Sequence, residues 1–270
     1  MTTPGPPRTV VTPPGHDLDV WAPTLAASPR VAVADLAEAL SPGPGPTALV
    51  VVGAHPDDET LGLGRLAHLW GRQVGPVTGV TATRGEACVD HVRSRPAGLA
   101  DRRIREWHQA LDRLGFTDRQ VLDLPDAQVA VHEDTLVGRL SEILTGQLRT
   151  GPTVLAAPWR SDPHPDHRAV GRATARVADS LGLPMVEYGV WMTYWGDPAS
   201  VGDCGRELVV VVADPEAELA CAEATRAFTS QLVDLDPTLT PVLPAAMLAH
   251  QAQQLVILDP AVAAAARTVR

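Results

Sequence analysis

The chain contains no lysine and no asparagine among its 270 residues. Without lysine it cannot form a Schiff base with a pyridoxal cofactor, and it lacks the lysine of a phosphate-binding loop. Without asparagine it has no N-glycosylation site and no Cys-His-Asn catalytic group. These two absences exclude several common classes of enzyme and of secreted glycoprotein.

Cysteine is also scarce. Cys88, Cys204 and Cys221 are odd in number and lack the spacing of a metal site, so we expect reduced thiols and a cytoplasmic protein. No apolar run approaches the length of a membrane span, and residues 1–14 lack the apolar region of a signal peptide. We therefore expect no membrane anchor.

The charge balance argues against a nucleic-acid partner. The net charge is -10 and the pI is about 5.3, whereas binding to phosphates requires a basic surface. Hydrophobic residues make up 45% of the chain, enough for one large core. We predict an N-terminal extension over residues 1–46, which ends in a Pro/Gly linker, followed by one main domain over residues 47–270.

The stretch from Val50 to Glu59 is the most informative part of the chain. Its apolar residues predict a buried strand, and Pro56 ends that strand because it has no N–H to donate. Asp57, Asp58 and Glu59 then open an amphipathic segment, where acidic residues suit the positive end of a helix dipole. Strands and helices alternate in this way as far as residue 191. This pattern predicts an α/β fold, a mostly parallel Rossmann-like sheet with helices on both faces.

A second cluster of histidine and aspartate follows a later predicted strand. His164, Asp166 and His167 come after the strand Thr153–Ala157, as His55, Asp57 and Asp58 come after the first. In a parallel sheet both clusters can lie at the same edge, where ligands bind. Two imidazoles and a carboxylate with an open position fit a catalytic zinc ion, although iron, cobalt or manganese would also fit. A remaining carboxylate could act as a general base, and a remaining histidine as an acid or an oxyanion donor.

The two motifs, Ala-His-Pro-Asp-Asp-Glu at 54–59 and Asp-Pro-His-Pro-Asp-His at 162–167, resemble the LmbE-like, or PIG-L, family of zinc-dependent de-N-acetylases. The resemblance covers about residues 47–195. It implies one metal ion per chain, Zn²⁺ with Fe²⁺ as the alternative, held by His55, Asp58 and His167. It further implies Asp57 as the general base and His164 as the group that stabilises the oxyanion and protonates the leaving amine. Asp166 would orient a histidine, and Glu59 would support the metal ligands from behind.

Two further residues fall at substrate-binding positions of that family, and each has a plain structural alternative. Arg103 is either the substrate-binding arginine or a solvated charge on its helix. Asp126 holds a sugar hydroxyl or belongs to a turn or a helix cap. The chain also departs from the family at Asp162, where some members have a tyrosine that helps to stabilise the oxyanion, and at Arg65, where many have a glycine.

Four aromatic residues cluster near predicted strand ends. These residues are Trp159, Trp191, Tyr194 and Trp195. They form either a wall for a sugar ring or part of the core. The expected function is hydrolysis of the N-acetyl group of an N-acetylglucosamine-type sugar in a small glycoside or secondary-metabolite precursor. The alternatives are an amidase acting on glycosyl-inositol thiol conjugates, a two-metal phosphoesterase and an inactive sugar-binding module. A homo-oligomer is left open.

Overall fold

The computed structural model describes residues 9–41, 43, 45–92, 94–233 and 235–268. Residues 1–8, where a signal peptide would begin, lie outside these ranges. Pro42 and Pro44 of the predicted linker also lie outside them.

One sheet of eight strands runs through the described residues. The strands are β1 (Arg30–Val31), β2 (Ala48–Gly53), β3 (Val77–Thr83), β4 (Asp118–Leu124), β5 (Thr153–Pro158), β6 (Met185–Tyr188), β7 (Glu207–Val211) and β8 (Gln254–Leu258).

Helices connect most of these strands. They are α1 (Ala22–Ala27), α2 (Val33–Leu40), α3 (Asp58–Gln73), α4 (Leu99–Leu114), α5 (Glu133–Gln147), α6 (Pro165–Leu181), α7 (Met192–Trp195), α8 (Ala199–Asp203), α9 (Pro215–Thr225), α10 (Thr229–Leu232), α11 (Ala245–His250) and α12 (Pro260–Thr268). Short 3-10 helices cover Leu18–Val20 and Val129–His132.

The order of strands across the sheet is β1-β7-β8-β6-β5-β2-β3-β4. All strands run in one direction except β8, which pairs antiparallel with both β6 and β7. The prediction of a mostly parallel sheet is confirmed. From β2 the chain moves outward through β3 and β4, then returns to place β5 on the other side of β2. The edge between β2 and β5 is therefore a topological switch point, the usual ligand site of such sheets.

The apolar run of β2 is explained by two cores, one on each face of the sheet. Leu49 and Val51 belong to the core under α3, α4 and α9, together with Trp70 and Trp107. Val50 and Val52 point to the opposite face, into the core under α5 and α6. A strand covered on both faces needs apolar residues at every position.

The sequence pattern predicts a strand over residues 185–191, and the structure corrects this prediction. The strand β6 ends at Tyr188, and the chain then turns into α7. The amides of Val190 and Trp191 donate to the side chain of Asp162, at 3.2 and 3.1 Å, instead of to a neighbouring strand. The buried Asp162 carboxylate thus competes with strand pairing at this point.

The sequence also predicts a single helix over residues 230–250, and this prediction is wrong. Two short helices, α10 and α11, occupy its ends. Pro237, Pro241 and Pro244 lie between or at the start of these helices, and proline cannot donate the hydrogen bonds of a helix interior. The strand β8 and the helix α12 follow, and neither was predicted.

The N-terminal residues contribute to the main sheet. Arg30 and Val31 pair parallel with Val210 and Val211 of β7. Four residues of the amphipathic helix α2 are buried, and they join the core that contains Trp70. A boundary at residue 46 stays a prediction, and the segment before it packs on the sheet.

Candidate metal and active site

Both histidine and aspartate motifs lie at the switch point. The residues that follow β2 form the first motif, and α3 begins within it at Asp58. The residues that follow β5 form the second, and α6 begins within it at Pro165. The sheet thus brings together two segments that are more than 100 residues apart in sequence, as expected for parallel neighbours.

Three predicted metal ligands converge at this edge. The Nδ1 atom of His55 lies 3.3 Å from Nε2 of His167. That Nε2 atom lies 3.2 Å from Oδ1 of Asp58, and Oδ2 of Asp58 lies 3.6 Å from His55 Nδ1. Ligand atoms bound at about 2.0–2.1 Å around a tetrahedral ion are separated by roughly 3.3 Å. The donor set of two nitrogens and one carboxylate, and its spacing, therefore fit a divalent transition-metal ion.

The ligand carboxylate is held by the backbone. Asp58 Oδ2 accepts hydrogen bonds from the amides of Ala54, at 2.8 Å, and His55, at 2.9 Å. Burial alone would raise the pKa of Asp58, but the adjacent His167 and His55 outweigh it and hold this pKa well below its usual value. The carboxylate is thus fixed and ionised, as a metal ligand must be.

Two further carboxylates face the other side of His55. The Nε2 atom of His55 lies 3.1 Å from Asp126 Oδ1 and 3.5 Å from Asp166 Oδ2. Asp166 is fixed in turn by the amides of Ala127 and Val129. A proton on His55 Nε2 leaves Nδ1 free to bind a metal, and such partners normally set the tautomer of a metal-binding histidine. The same atoms also make His55, Asp126 and Asp166 a second group of three potential ligands.

Asp162 fixes His167, a role that the sequence did not reveal. Its Oδ1 lies 3.1 Å from Nδ1 of His167 and accepts a hydrogen bond from the amide of His164 at 3.0 Å. Its Oδ2 accepts the two amides that follow β6. The side chain is fully buried. Its place as the first residue of the second motif was the only available signal.

Asp57, the predicted base, is bound to Arg103. The Nη2 atom of Arg103 donates to Asp57 Oδ2 at 2.9 Å, and Nη1 donates to the carbonyl of Gly85 at 2.6 Å. Both side chains are buried. Burial raises the pKa of Asp57, and the charge of Arg103 opposes this rise. Arg103 is therefore not a solvated charge on α4, since it holds the carboxylate at the edge of the cavity.

Gly85 makes that arrangement possible. It has a φ of +65°, and a Cβ atom there would lie 2.3 Å from Arg103 Nη1. The hydroxyl of Thr83 accepts the Gly85 amide at 3.1 Å and donates to the carbonyl of Ala54 at 2.8 Å. The segment Thr83–Glu86 thus packs the end of β3 against the first motif.

His164 lies beside the three ligands. Its ring meets that of His55 edge to face, with the centroids 4.8 Å apart. Its Nδ1 atom accepts a hydrogen bond from the amide of Asp166 at 3.3 Å. Burial, with the charges of His167 and His55, lowers the pKa of His164 to about 2. In the neutral ring the proton is then on Nε2, where it can be donated to a ligand.

Glu59 lies deeper in the fold. Its Oε2 accepts a hydrogen bond from the indole Nε1 of Trp107 at 3.1 Å, while Oε1 has no hydrogen-bond partner among the described residues. Burial raises the pKa of Glu59 well above its usual value. Its support of the metal ligands stays a prediction.

A cavity of about 430 Å³ opens beside these groups. Asp57, Asp58, Arg103 and His164 line it, together with Asp126. Of the four aromatic residues proposed as a wall, Trp191 and Trp195 line the cavity. Trp159 belongs to a separate core cluster with Trp21, and Tyr194 is buried against Gly15 and His250.

Comparison with known proteins agrees with this site. Residues 50–178 match the family model described as PIG-L: GlcNAc-PI de-N-acetylase, and they include both motifs. The fold and the His/Asp cluster define an α/β protein with potential metal ligands at its switch point. Over residues 50–178 the chain is similar to the PIG-L family.

The chain is also similar to a curated protein of Kineococcus radiotolerans, 1D-myo-inositol 2-acetamido-2-deoxy-alpha-D-glucopyranoside deacetylase. The two are 27% identical over 162 residues, which make up 49% of this chain and 45% of that protein. The match thus spans less than half of the relative's length.

Two solved structures share the fold. The A40926 pseudoaglycone deacetylase Dbv21 superposes with a TM-score of 0.58 at 20% identity, covering 79% of this chain and 97% of that chain. The N,N'-diacetylchitobiose deacetylase from Pyrococcus horikoshii gives a TM-score of 0.51 at 19% identity, covering 67% of this chain and 69% of that chain. Among the described residues, no helix is long and apolar enough to cross a membrane.

Proposed function

We propose that this protein is a metal-dependent hydrolase that removes the N-acetyl group from an N-acetylglucosamine-type sugar. The observation that carries the proposal is the convergence of His55, Asp58 and His167 within 3.6 Å of one another, with a buried carboxylate and a neutral histidine beside them. The names of the relatives, all deacetylases, supply the substrate class.

We propose zinc as the metal, with iron(II) as the alternative. The ion would be held by His55, Asp58 and His167, a set with room for a fourth ligand. When bound, such an ion lowers the pKa of a coordinated water to about 7 and polarises the amide carbonyl.

The side chains around that position supply the proton transfers. Asp57 is placed to accept the proton of the attacking water. Because the pKa of His164 is lowered to about 2 and its ring stays neutral, we assign the transfer of this proton to the leaving nitrogen to Asp57, and not to His164 as the resemblance implies. Arg103 keeps Asp57 in one orientation through the 2.9 Å ion pair. Nε2–H of His164 would donate to the oxyanion that develops on the amide oxygen. Asp126 faces both His55 and the cavity, so it can orient the histidine and also reach a sugar hydroxyl at the cavity wall.

Cys88, Cys204 and Cys221 are free. Free thiols support a reducing compartment, and we propose a cytoplasmic location on that ground.

The proposal is tested by metal content and amine release. We expect about one zinc or iron per chain by elemental mass spectrometry, its loss in Asp58→Ala, and release of a free amine from N-acetylglucosamine glycosides by the loaded protein. Two metal ions per chain would instead favour the phosphoesterase, which needs a carboxylate that bridges them. A chain that binds no added metal would refute the hydrolase.

A further inference from the structure

The cavity has two unlike halves. One half carries two of the predicted ligands, His55 and Asp58, and the predicted base Asp57. The other half is apolar, and its side chains come from three distant parts of the chain: Val11, Val190, Trp191, Trp195, Val242 and Leu243. At about 430 Å³, the cavity is within the range of small-molecule sites, roughly 300–1,000 Å³. It therefore has room for more than the acetamide that the metal would hold.

Residues 9–16, here called the N-terminal strap, form part of the apolar half. Thr9 pairs with Leu239 as an isolated parallel bridge, and the amide of Val11 donates to Thr240 Oγ1 at 3.0 Å. At the other end the amide of His16 donates to the carbonyl of Tyr194 at 2.7 Å. The strap lies outside the residues that the family model matches.

Two stacked indoles form the neighbouring side of the wall. The rings of Trp191 and Trp195 are 4.3 Å apart and nearly parallel, at 14°. Trp191 is buried and Trp195 is half-buried. The Nε1 atom of Trp195 donates to the carbonyl of Pro13 at 3.3 Å, which ties the indole pair to the strap. Stacked indoles of this kind present a flat apolar surface to a ring.

Three polar side chains beside this wall bond within the protein. The hydroxyl of Thr12 donates to the carbonyl of Val242. The ring of His91 bonds the carbonyl of Val11 at 2.9 Å, and the side-chain Nε2 of Gln231 donates to Ser230 Oγ at 2.9 Å. The apolar residues of the wall offer no hydrogen bonds to the hydroxyl groups of a polyol, and the loss of water from such groups is costly.

We propose that this wall binds an aromatic aglycone attached to the amino sugar, so that the substrate is an N-acetylglucosaminide of a planar apolar group and not of a polyol such as inositol. This inference rests on the proposed function. The strap and the indole pair then determine specificity, while the motifs at the switch point carry out the chemistry.

The test compares phenyl, methyl and myo-inositol N-acetylglucosaminides, in both anomers, with the full-length zinc-loaded chain. Amine release gives kcat/KM, and calorimetry gives the affinity of the deacetylated phenyl, methyl and inositol glycosides. We expect the phenyl glycoside to exceed the methyl and inositol glycosides on the order of tenfold in both measurements, because a ring gains area and stacking on the indoles.

Variants locate the preference. Trp195→Ala should reduce the phenyl-to-methyl ratio on the order of tenfold, and Val11→Thr should reduce it severalfold by adding a hydroxyl to the wall. Val10→Thr is the matched control, because Val10 is on the same strap but 53% exposed. The ratio for this control should equal that of the wild type.

The outcomes separate the two proposals. Equal values for phenyl and methyl glycosides, or a preference for inositol, would overturn the aglycone wall. A higher kcat/KM for the N-butanoyl than for the N-acetyl methyl glycoside would also overturn it, because the wall would then bind the acyl chain. If no glycoside is hydrolysed, the proposed function fails, and the binding measurement alone still decides whether the wall selects an aromatic group.

Discussion

Arg103 donates from Nη2 to Asp57 Oδ2 at 2.9 Å, and both side chains are buried at the edge of the cavity. A buried carboxylate without a partner would tend to take up a proton and lose its function as a base. The charge of Arg103 opposes the rise in the Asp57 pKa that burial causes and, because the guanidinium also bonds Gly85, it fixes the direction of the carboxylate. This pair connects the helix α4 to the first motif and to the loop after β3.

Arg103→Lys tests whether direction matters as well as charge. A lysine keeps the positive charge but cannot bond Asp57 and Gly85 together with a rigid fork. We expect kcat to fall on the order of a hundredfold, with metal content unchanged. Arg105→Lys on the exposed face of the same helix is the control and should behave as wild type. If Arg103→Lys also keeps the kcat of the wild type, the positive charge alone is sufficient and the direction set by the guanidinium does not matter.

Asp57→Asn removes the proposed base and keeps its shape. We expect kcat to fall by about 10²–10⁴, while one metal ion stays bound, because Asp57 is not among the three converging ligands. Steady-state kinetics and elemental analysis on the same sample measure both quantities. Loss of the metal in this variant would show that Asp57 is a ligand and would contradict the assignment.

The convergence of His55, Asp58 and His167 could be expected from the sequence because each motif is local. His55 and Asp58 are three residues apart at a strand end, and the parallel sheet that juxtaposes them with His167 follows from the alternating pattern of strands and helices. Contacts within one turn, and between neighbouring parallel strands, can be inferred from such patterns.

The partners that hold these residues depend on contacts between distant segments. Asp126 faces His55 and Asp162 binds the loop after β6, and no periodicity marks either contact. Arg65 shows the same limit. Its guanidinium donates to Glu218 Oε2 at 2.7 Å and to the carbonyl of Gln251 at 2.8 Å, so a residue that departs from the family pattern anchors α3 to C-terminal segments that the sequence described poorly.

Metal binding should release protons. Burial lowers the pKa of His167, but the carboxylates of Asp58 and Asp162 outweigh it and raise this pKa to about 9 in the metal-free protein. At pH 7 the ring therefore carries a second proton, which must leave before Nε2 can bind a metal. Titration calorimetry of metal-free protein with zinc, in buffers of different ionisation enthalpy, should show release of at least one proton.

The sign of the pH dependence follows from the same group. Because the folded metal-free protein holds the proton up to about pH 9, apparent zinc affinity should rise as the pH increases from 6 to 9 and level off above it. An affinity independent of pH across this window, or no buffer dependence of the heat, would show that His167 is already neutral before the metal binds.

Asp162→Asn tests the buried carboxylate that joins the second motif to Trp191. The carboxylate accepts from four donors, namely His167 Nδ1 and the amides of His164, Val190 and Trp191. Asparagine offers one oxygen and one NH₂ group, so at least one of these donors loses its acceptor. We expect unfolding to become easier by about 1–3 kcal/mol, as measured by chemical denaturation of the metal-free protein.

The same substitution should also weaken metal binding by about 10–100-fold, because His167 loses the partner that orients its ring. Asp203→Asn, at an exposed position in α8, is the control and should change neither quantity. The two effects distinguish the roles of the carboxylate. A loss of stability with unchanged zinc affinity would mean that Asp162 only closes the loop after β6, whereas a loss of both means that it also sets the geometry of the metal site.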